Sequence, residues 1–96
     1  MKYVMIYENS PTGLEKAKLY FPEHRKRLEE FHARGVLLMS GPLLNPTDIA
    51  LGVFTSREAA EEFIAGDPFV QNGVVAKWSI REWREVLVPE RVPEST

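Results

Sequence analysis

Residues Lys2 to Glu8 alternate as a β-strand does, with Val4 and Ile6 on one side and Tyr3, Met5 and Tyr7 on the other. A turn cluster, Asn9-Ser10-Pro11-Thr12-Gly13, follows. Leu14, Ala17 and Phe21 then carry helical spacing, which Pro22 interrupts. Because proline is best tolerated in a first helical turn, the pattern predicts a short lead-in helix and then a main helix from about Pro22 to Arg34, stopped by Gly35. Val36 to Ser40 is a continuous apolar run closing on Gly41-Pro42, read as a buried strand and then a loop. After the turn Asn45-Pro46-Thr47-Asp48, Ile49 to Phe54 reads as a third strand. Thr55-Ser56-Arg57-Glu58 has capping-box spacing, with Thr55 as N-cap. The helix behind it places Ala59, Ala60, Phe63 and Ile64 on one face and ends at Gly66. In the last strand, Val74 to about Glu85, Ala76, Trp78 and Ile80 alternate with Lys77, Ser79, Arg81 and Trp83.

The order β-α-β-β-α-β predicts an α+β fold of the ferredoxin-like kind, with a four-stranded antiparallel sheet. Right-handed crossovers put both helices on one sheet face. The other face then lacks a cover, and the alternation is expected to send Tyr3, Met5 and Tyr7 to it. An apolar patch of that size predicts a homodimer joined through the open sheet face, with Trp78 in the core and Trp83 at the dimer contact. Residues 1–88 make the domain, and residues 89–96, with Pro89 and Pro93, form an extended tail.

The chain has 96 residues, enough for one core. A net charge of −2 with mixed signs gives no electrostatic ground for a nucleic-acid partner, and the basic, aromatic pattern of RNA-binding sheets is absent. No apolar run approaches a membrane span and no signal-peptide pattern opens the sequence, so a cytoplasmic protein is expected. With no cysteine there are no disulfides, thiolate metal sites or cysteine nucleophiles, and two histidines eight positions apart do not make a metal site. No phosphate-cradling glycine loop follows a strand. No metal or organic cofactor is expected.

What chemistry remains centres on His24 and Asp67. His24 shares the helical stripe of Leu28 and Phe31 and so points toward the sheet. The topology gathers Tyr7, Glu8, His24, Ser40, Gly41 and Asp67 at one rim. An imidazole there needs a partner for its ring N–H, and a carboxylate would fix its tautomer and raise its basicity. Asp67 is the best-placed carboxylate and Glu8 the reserve; Asp67-Pro68 also reads as an N-cap with proline at N1, a role that does not exclude the first. Ser40 can donate a hydroxyl hydrogen bond, Gly41-Pro42 allows close approach by a small ligand, and Tyr7 and Phe69 would form the wall. His32 and the run Arg25-Lys26-Arg27 read as surface structure.

Several ordered pieces of the chain carry a resemblance: Met1 to Tyr7, Pro22-Glu23-His24, Gly35 to Pro42, Asp67 to Val70, and Gly73-Val74. Together the sequence resembles the YCII-related (YciI-like) family. The resemblance implies a dimeric α/β-barrel of ferredoxin-like subunits and an active site on a His–Asp dyad, which falls on His24 and Asp67. One branch of that family is associated with dehydrochlorination of a chlorinated hydroxyhydroquinone; many members have no assigned reaction. The connection from Pro42 to Asp48 is shorter here than in some relatives. The leading expectation is a lyase or isomerase acting on a small molecule through His24 and Asp67, with Ser40 and backbone N–H groups near Gly41 holding a developing oxyanion. Alternatives are a non-catalytic dimeric ligand-binding or accessory module, and a cofactor-free monooxygenase of the same architecture.

Overall fold

A computed structural model describes residues 1–89. In chain order the elements are β1 (Lys2–Asn9), α1 (Gly13–Ala33), β2 (Leu37–Pro42), β3 (Ile49–Phe54), α2 (Arg57–Gly66), α3 (Pro68–Gln71) and β4 (Val75–Trp83). The strands form one four-stranded sheet in the order β2-β3-β1-β4. Each neighbouring pair is antiparallel. This is the expected ferredoxin-like arrangement. Apart from Pro89, the expected tail lies outside the described residues.

The two sheet faces are the reverse of the sequence expectation. Met5 and Tyr7 are each only 2% exposed and join Phe31, Phe54 and Phe63 in the core beneath the helices. Their cross-strand partners, Gly52 and Ile80 for Met5 and Ala50 and Trp78 for Tyr7, share that face. Val4, Ile6, Leu51 and Val53 therefore point to the open side, with Met39 of β2 beside Val53. Both stripes of β1 are apolar, so alternation separated them without saying which one the helices cover. Trp78 stands on the helix side but at the β4 edge, where it stays 45% exposed rather than entering the core.

The helices also depart in detail. α1 runs unbroken from Gly13 through Pro22. Pro22 and Lys18 are both exposed, so the carbonyl that the proline leaves without its helical partner faces water, and the helix survives. In α2 the N-cap is Ser56, whose hydroxyl accepts from the Ala59 N–H at 3.1 Å. Thr55 is taken up otherwise, its N–H donating to Val36 O at 3.0 Å. β2 extends through Gly41 and Pro42, which pair with Leu51 and Ala50, so this segment is strand and not loop. β4 stops at Trp83.

One side chain of the expected solvated run is structural. Arg27 reaches from α1 to the last turns of α2, donating from Nε to Phe63 O at 3.0 Å and from a terminal nitrogen to Glu62 O at 2.8 Å. Its guanidinium also lies over the rings of Phe31 and Phe63, at 4.9 and 5.6 Å from their centroids. Such a cation at a helix C-terminus bonds the carbonyls of the last turns and is favoured by the helix dipole. Glycine at position 66 leaves room for the contact: a Cβ there would lie 2.5 Å from the Arg27 guanidinium, and the end of that side chain would have to move. Gly66→Ala is expected to displace the guanidinium and to cost the fold no more than about 1 kcal/mol, because the end of a flexible side chain gives way and alanine favours the helix. In denaturant titrations the double variant Gly66→Ala/Arg27→Ala should cost less than the sum of the singles, because the collision is then absent. Strict additivity would contradict the contact.

Candidate active site

Asp67 stands between α2 and α3. Its N–H donates to Ile64 O at 3.3 Å, closing α2. Its carboxylate accepts from the Phe69 N–H at 3.0 Å, capping α3 with Pro68 in the first turn. The N-cap role and the pairing role coexist. His24 Nδ1 lies 2.7 Å from Oδ1 of the same carboxylate, and Tyr7 donates its hydroxyl to Oδ2 at 2.7 Å. Asp67 has no exposure at all. A carboxylate withdrawn from water in this way needs donors, and here they come from α1, β1 and the backbone of α3.

An ionised carboxylate only accepts hydrogen bonds, so the neutral imidazole carries its proton on Nδ1 and presents a lone pair at Nε2. Among the described residues Nε2 has no hydrogen-bond partner, and no unpartnered polar side-chain atom is buried. Nε2 is therefore the accessible nitrogen. The ring is held flat against Phe69, with centroids 3.7 Å apart and planes 5° from parallel, and meets the edge of Phe63 at 6.2 Å. Asp67, Pro68 and Phe69 thus supply the acceptor, the turn and the stacking surface in one short segment.

His24 lines a partly open cavity of about 440 Å³ between α1 and the C-terminal halves of β1 and β2 and the first half of β3. Tyr7, Ser40, Gly41, Pro42 and Phe69, the expected binding residues, all line it. Glu8 does not; it is exposed and lies on the face opposite Tyr7. His32 ties the end of α1 to β2, its Nδ1 lying 2.8 Å from Leu37 O. The expectation put His24 in the first turn of its helix. It sits instead midway along α1, because that helix begins nine residues before Pro22, at Gly13. Two contributors were missed: the donor role of Tyr7, hidden by the assignment of its stripe to the open face, and the Arg27 clamp, hidden in a run of like charges.

Burial and the Asp67 charge push the Tyr7 phenol far above the ordinary tyrosine range. Only the unfolded chain then releases this proton near the ordinary value of about 10. The stabilisation is thus complete below that pH and is lost progressively above it. Wild type should lose stability above about pH 10 more steeply than Tyr7→Phe, and its extra phenolate absorbance should appear only with unfolding. Near neutral pH, Tyr7→Phe should be less stable by about 1–3 kcal/mol, because Asp67 loses a donor in a buried setting. Ionisation of Tyr7 in the intact fold would contradict the assignment.

The YCII-related domain matches residues 1–84. The chain belongs to this family. Protein YciI of Escherichia coli O6:H1 is 31% identical over 98 aligned positions, covering 91% of this chain and 100% of that protein. An uncharacterized protein of Haemophilus influenzae is 29% identical over 98 positions, with the same coverage. Among solved structures, the 5-chloro-2-hydroxyhydroquinone dehydrochlorinase TftG from Burkholderia phenoliruptrix AC1100, in complex with 2,5-dihydroxybenzoquinone, superposes with a TM-score of 0.74 at 19% identity. The match covers 88% of this chain and 94% of TftG, and it shows a shared fold. Among the described residues no helix is long and apolar enough to cross a membrane.

Proposed function

We propose that the protein is a small-molecule enzyme of lyase or isomerase type in which His24, oriented by Asp67, is the general base. The observation that carries this reading is the Nδ1–Asp67 contact of 2.7 Å in a ring whose other nitrogen stays accessible beside the cavity. Nε2 takes a proton from an enolic, phenolic or activated C–H group. The electron pair left behind either returns a proton at another carbon or expels a leaving group from the adjacent one. Ser40 and the backbone around Gly41 line the same cavity and serve the developing oxyanion. Asp67 stabilises the imidazolium formed, and Tyr7 holds Asp67 in place. That the structurally similar TftG is a dehydrochlorinase, in complex with a dihydroxybenzoquinone, supports this choice of chemistry.

The working unit in this reading is a homodimer joined through the open sheet face. Val4, Ile6 and Leu51 are half-buried there, and Met39 is 66% exposed. An uncovered apolar face of that extent favours a second copy. Sedimentation should give a dimer for the wild type and a monomer for Leu51→Glu; a monomeric wild type contradicts the arrangement.

Turnover is to be assayed on hydroxyhydroquinones with and without a chlorine substituent, with and without oxygen, following chloride and quinone formation. His24→Asn should lower the rate by about 10²–10⁴-fold with an unchanged circular dichroism spectrum. Wild-type turnover in His24→Asn contradicts the base assignment. Binding of 2,5-dihydroxybenzoquinone that survives in His24→Asn, with no turnover by either protein, identifies a ligand-binding module instead. An oxygen requirement identifies a monooxygenase.

A further inference from the structure

The cavity beside His24 extends well beyond the imidazole. Leu28 borders it one helical turn after His24, but Phe21, Ala17 and Leu14 continue its wall ten residues in the other direction. At the rise of an α-helix those ten residues span about 15 Å. Leu14, Ala17 and Phe21 form an apolar helical stripe of the kind that ordinarily packs on a core. Here that stripe buries little: Leu14 is 58% and Phe21 48% exposed. The sheet beneath offers small side chains in its place. Ala50, opposite Tyr7, and Pro42, opposite Ala50 on the next strand, occupy helix-facing positions and border the same cavity.

Volume and charge narrow the occupant. A dry cavity of about 150 Å³ is enough for a benzene-sized ring. The space here is about 440 Å³ and is continuous from His24 to Leu14. Among the described residues no carboxylate lines it, and Arg25 is its one permanently charged side chain, pairing with Glu29 at 3.2 Å. Asp67 lies behind the ring and does not line the cavity, so an oxygen-bearing, acidic head meets no carboxylate on the wall. The arm under Leu14, Ala17 and Phe21 is apolar on its helix side, with Asn9 and Thr47 the polar side chains elsewhere on the wall besides those near His24.

We propose that the ligand is an enolic or phenolic ring bearing an apolar substituent, an alkyl or aryl arm that lies beneath Leu14, Ala17 and Phe21 while the ring oxygens face His24 and Ser40. This deepens the reading of His24 as the acid–base centre and rests on it for the placement of the head. The arm takes the place of a core contact: it covers the α1 stripe that the small residues of β2 and β3 leave uncovered. A single unsubstituted ring fills only the end of the cavity nearest His24.

The test is a titration of the full chain with resorcinol and with 4-alkylresorcinols of increasing chain length, followed by calorimetry and by side-chain chemical shifts. Each methylene buried should tighten binding about fourfold until the arm is filled. Shifts should spread from His24 with the short members to Leu14, Ala17 and Phe21 with the long ones. Ala17→Leu and Ala50→Leu, which fill the arm, should flatten the dependence on chain length. A flat series in wild type, with His24 shifted throughout, overturns the arm and leaves the His24 reading standing. A steep series that shifts the α1 residues but never His24 supports the arm and contradicts the placement of the head. A chain-length dependence unchanged in both leucine variants, or no shift at either place, overturns the proposal.

Discussion

The interaction on which the rest depends is the complete burial of one carboxylate, that of Asp67. An ionised group taken out of water costs several kcal/mol unless hydrogen bonds replace its hydration. The replacements come from separate parts of the chain: the Tyr7 hydroxyl from β1, the His24 ring from α1 and the Phe69 N–H from α3. Each fixes the relative position of an element, so the site is also a joint of the fold. The Arg27 clamp on the last turns of α2 serves the same end, since Asp67 is the next residue after Gly66.

The joint leaves His24 with little freedom. One nitrogen is engaged by Asp67, one ring face is covered by Phe69, and an edge of Phe63 approaches from the side. Preorganisation of this kind is what an acid–base residue requires, because none of the orienting has to be done during the reaction. The other nitrogen has no partner among the described residues, and the His24 side chain lines a cavity far larger than the imidazole needs. That space exists because the first turns of α1 stand above small side chains of β2 and β3 instead of interlocking with large ones. The same strand pairs that bury Met5 and Tyr7 therefore also leave the opening next to them.

Much of this was legible in the residue pattern. Period-two alternation located β1 and β4, short segments bounded by turns located β2 and β3, and helical spacing located α2. Their order fixed the topology that brings His24 and Asp67 together. The Asp67-Pro68 step announced a helix start, and the cap is there. What stayed hidden has specific causes. Tyr3, Met5 and Tyr7 alternate with Val4 and Ile6, all apolar enough to be buried, so hydrophobicity could not choose the covered face. With that choice reversed, the donor role of Tyr7 could not be seen. Pro22 read as a break because the cost of its missing hydrogen bond is visible in sequence, whereas the exposure that lets water replace it is not. Arg27 sits among like-charged neighbours, and only the path of α2 reveals its acceptors.

The most direct test of the arrangement is the tautomer of His24, read from the nitrogen-15 chemical shifts of its ring in the neutral state. The geometry predicts a protonated Nδ1 bonded to Asp67 and an unprotonated Nε2 free to accept a substrate proton. In Asp67→Asn that preference should be lost. A neutral ring carrying its proton on Nε2 in the wild type would contradict the account, because the accessible nitrogen would then be a donor and not a base.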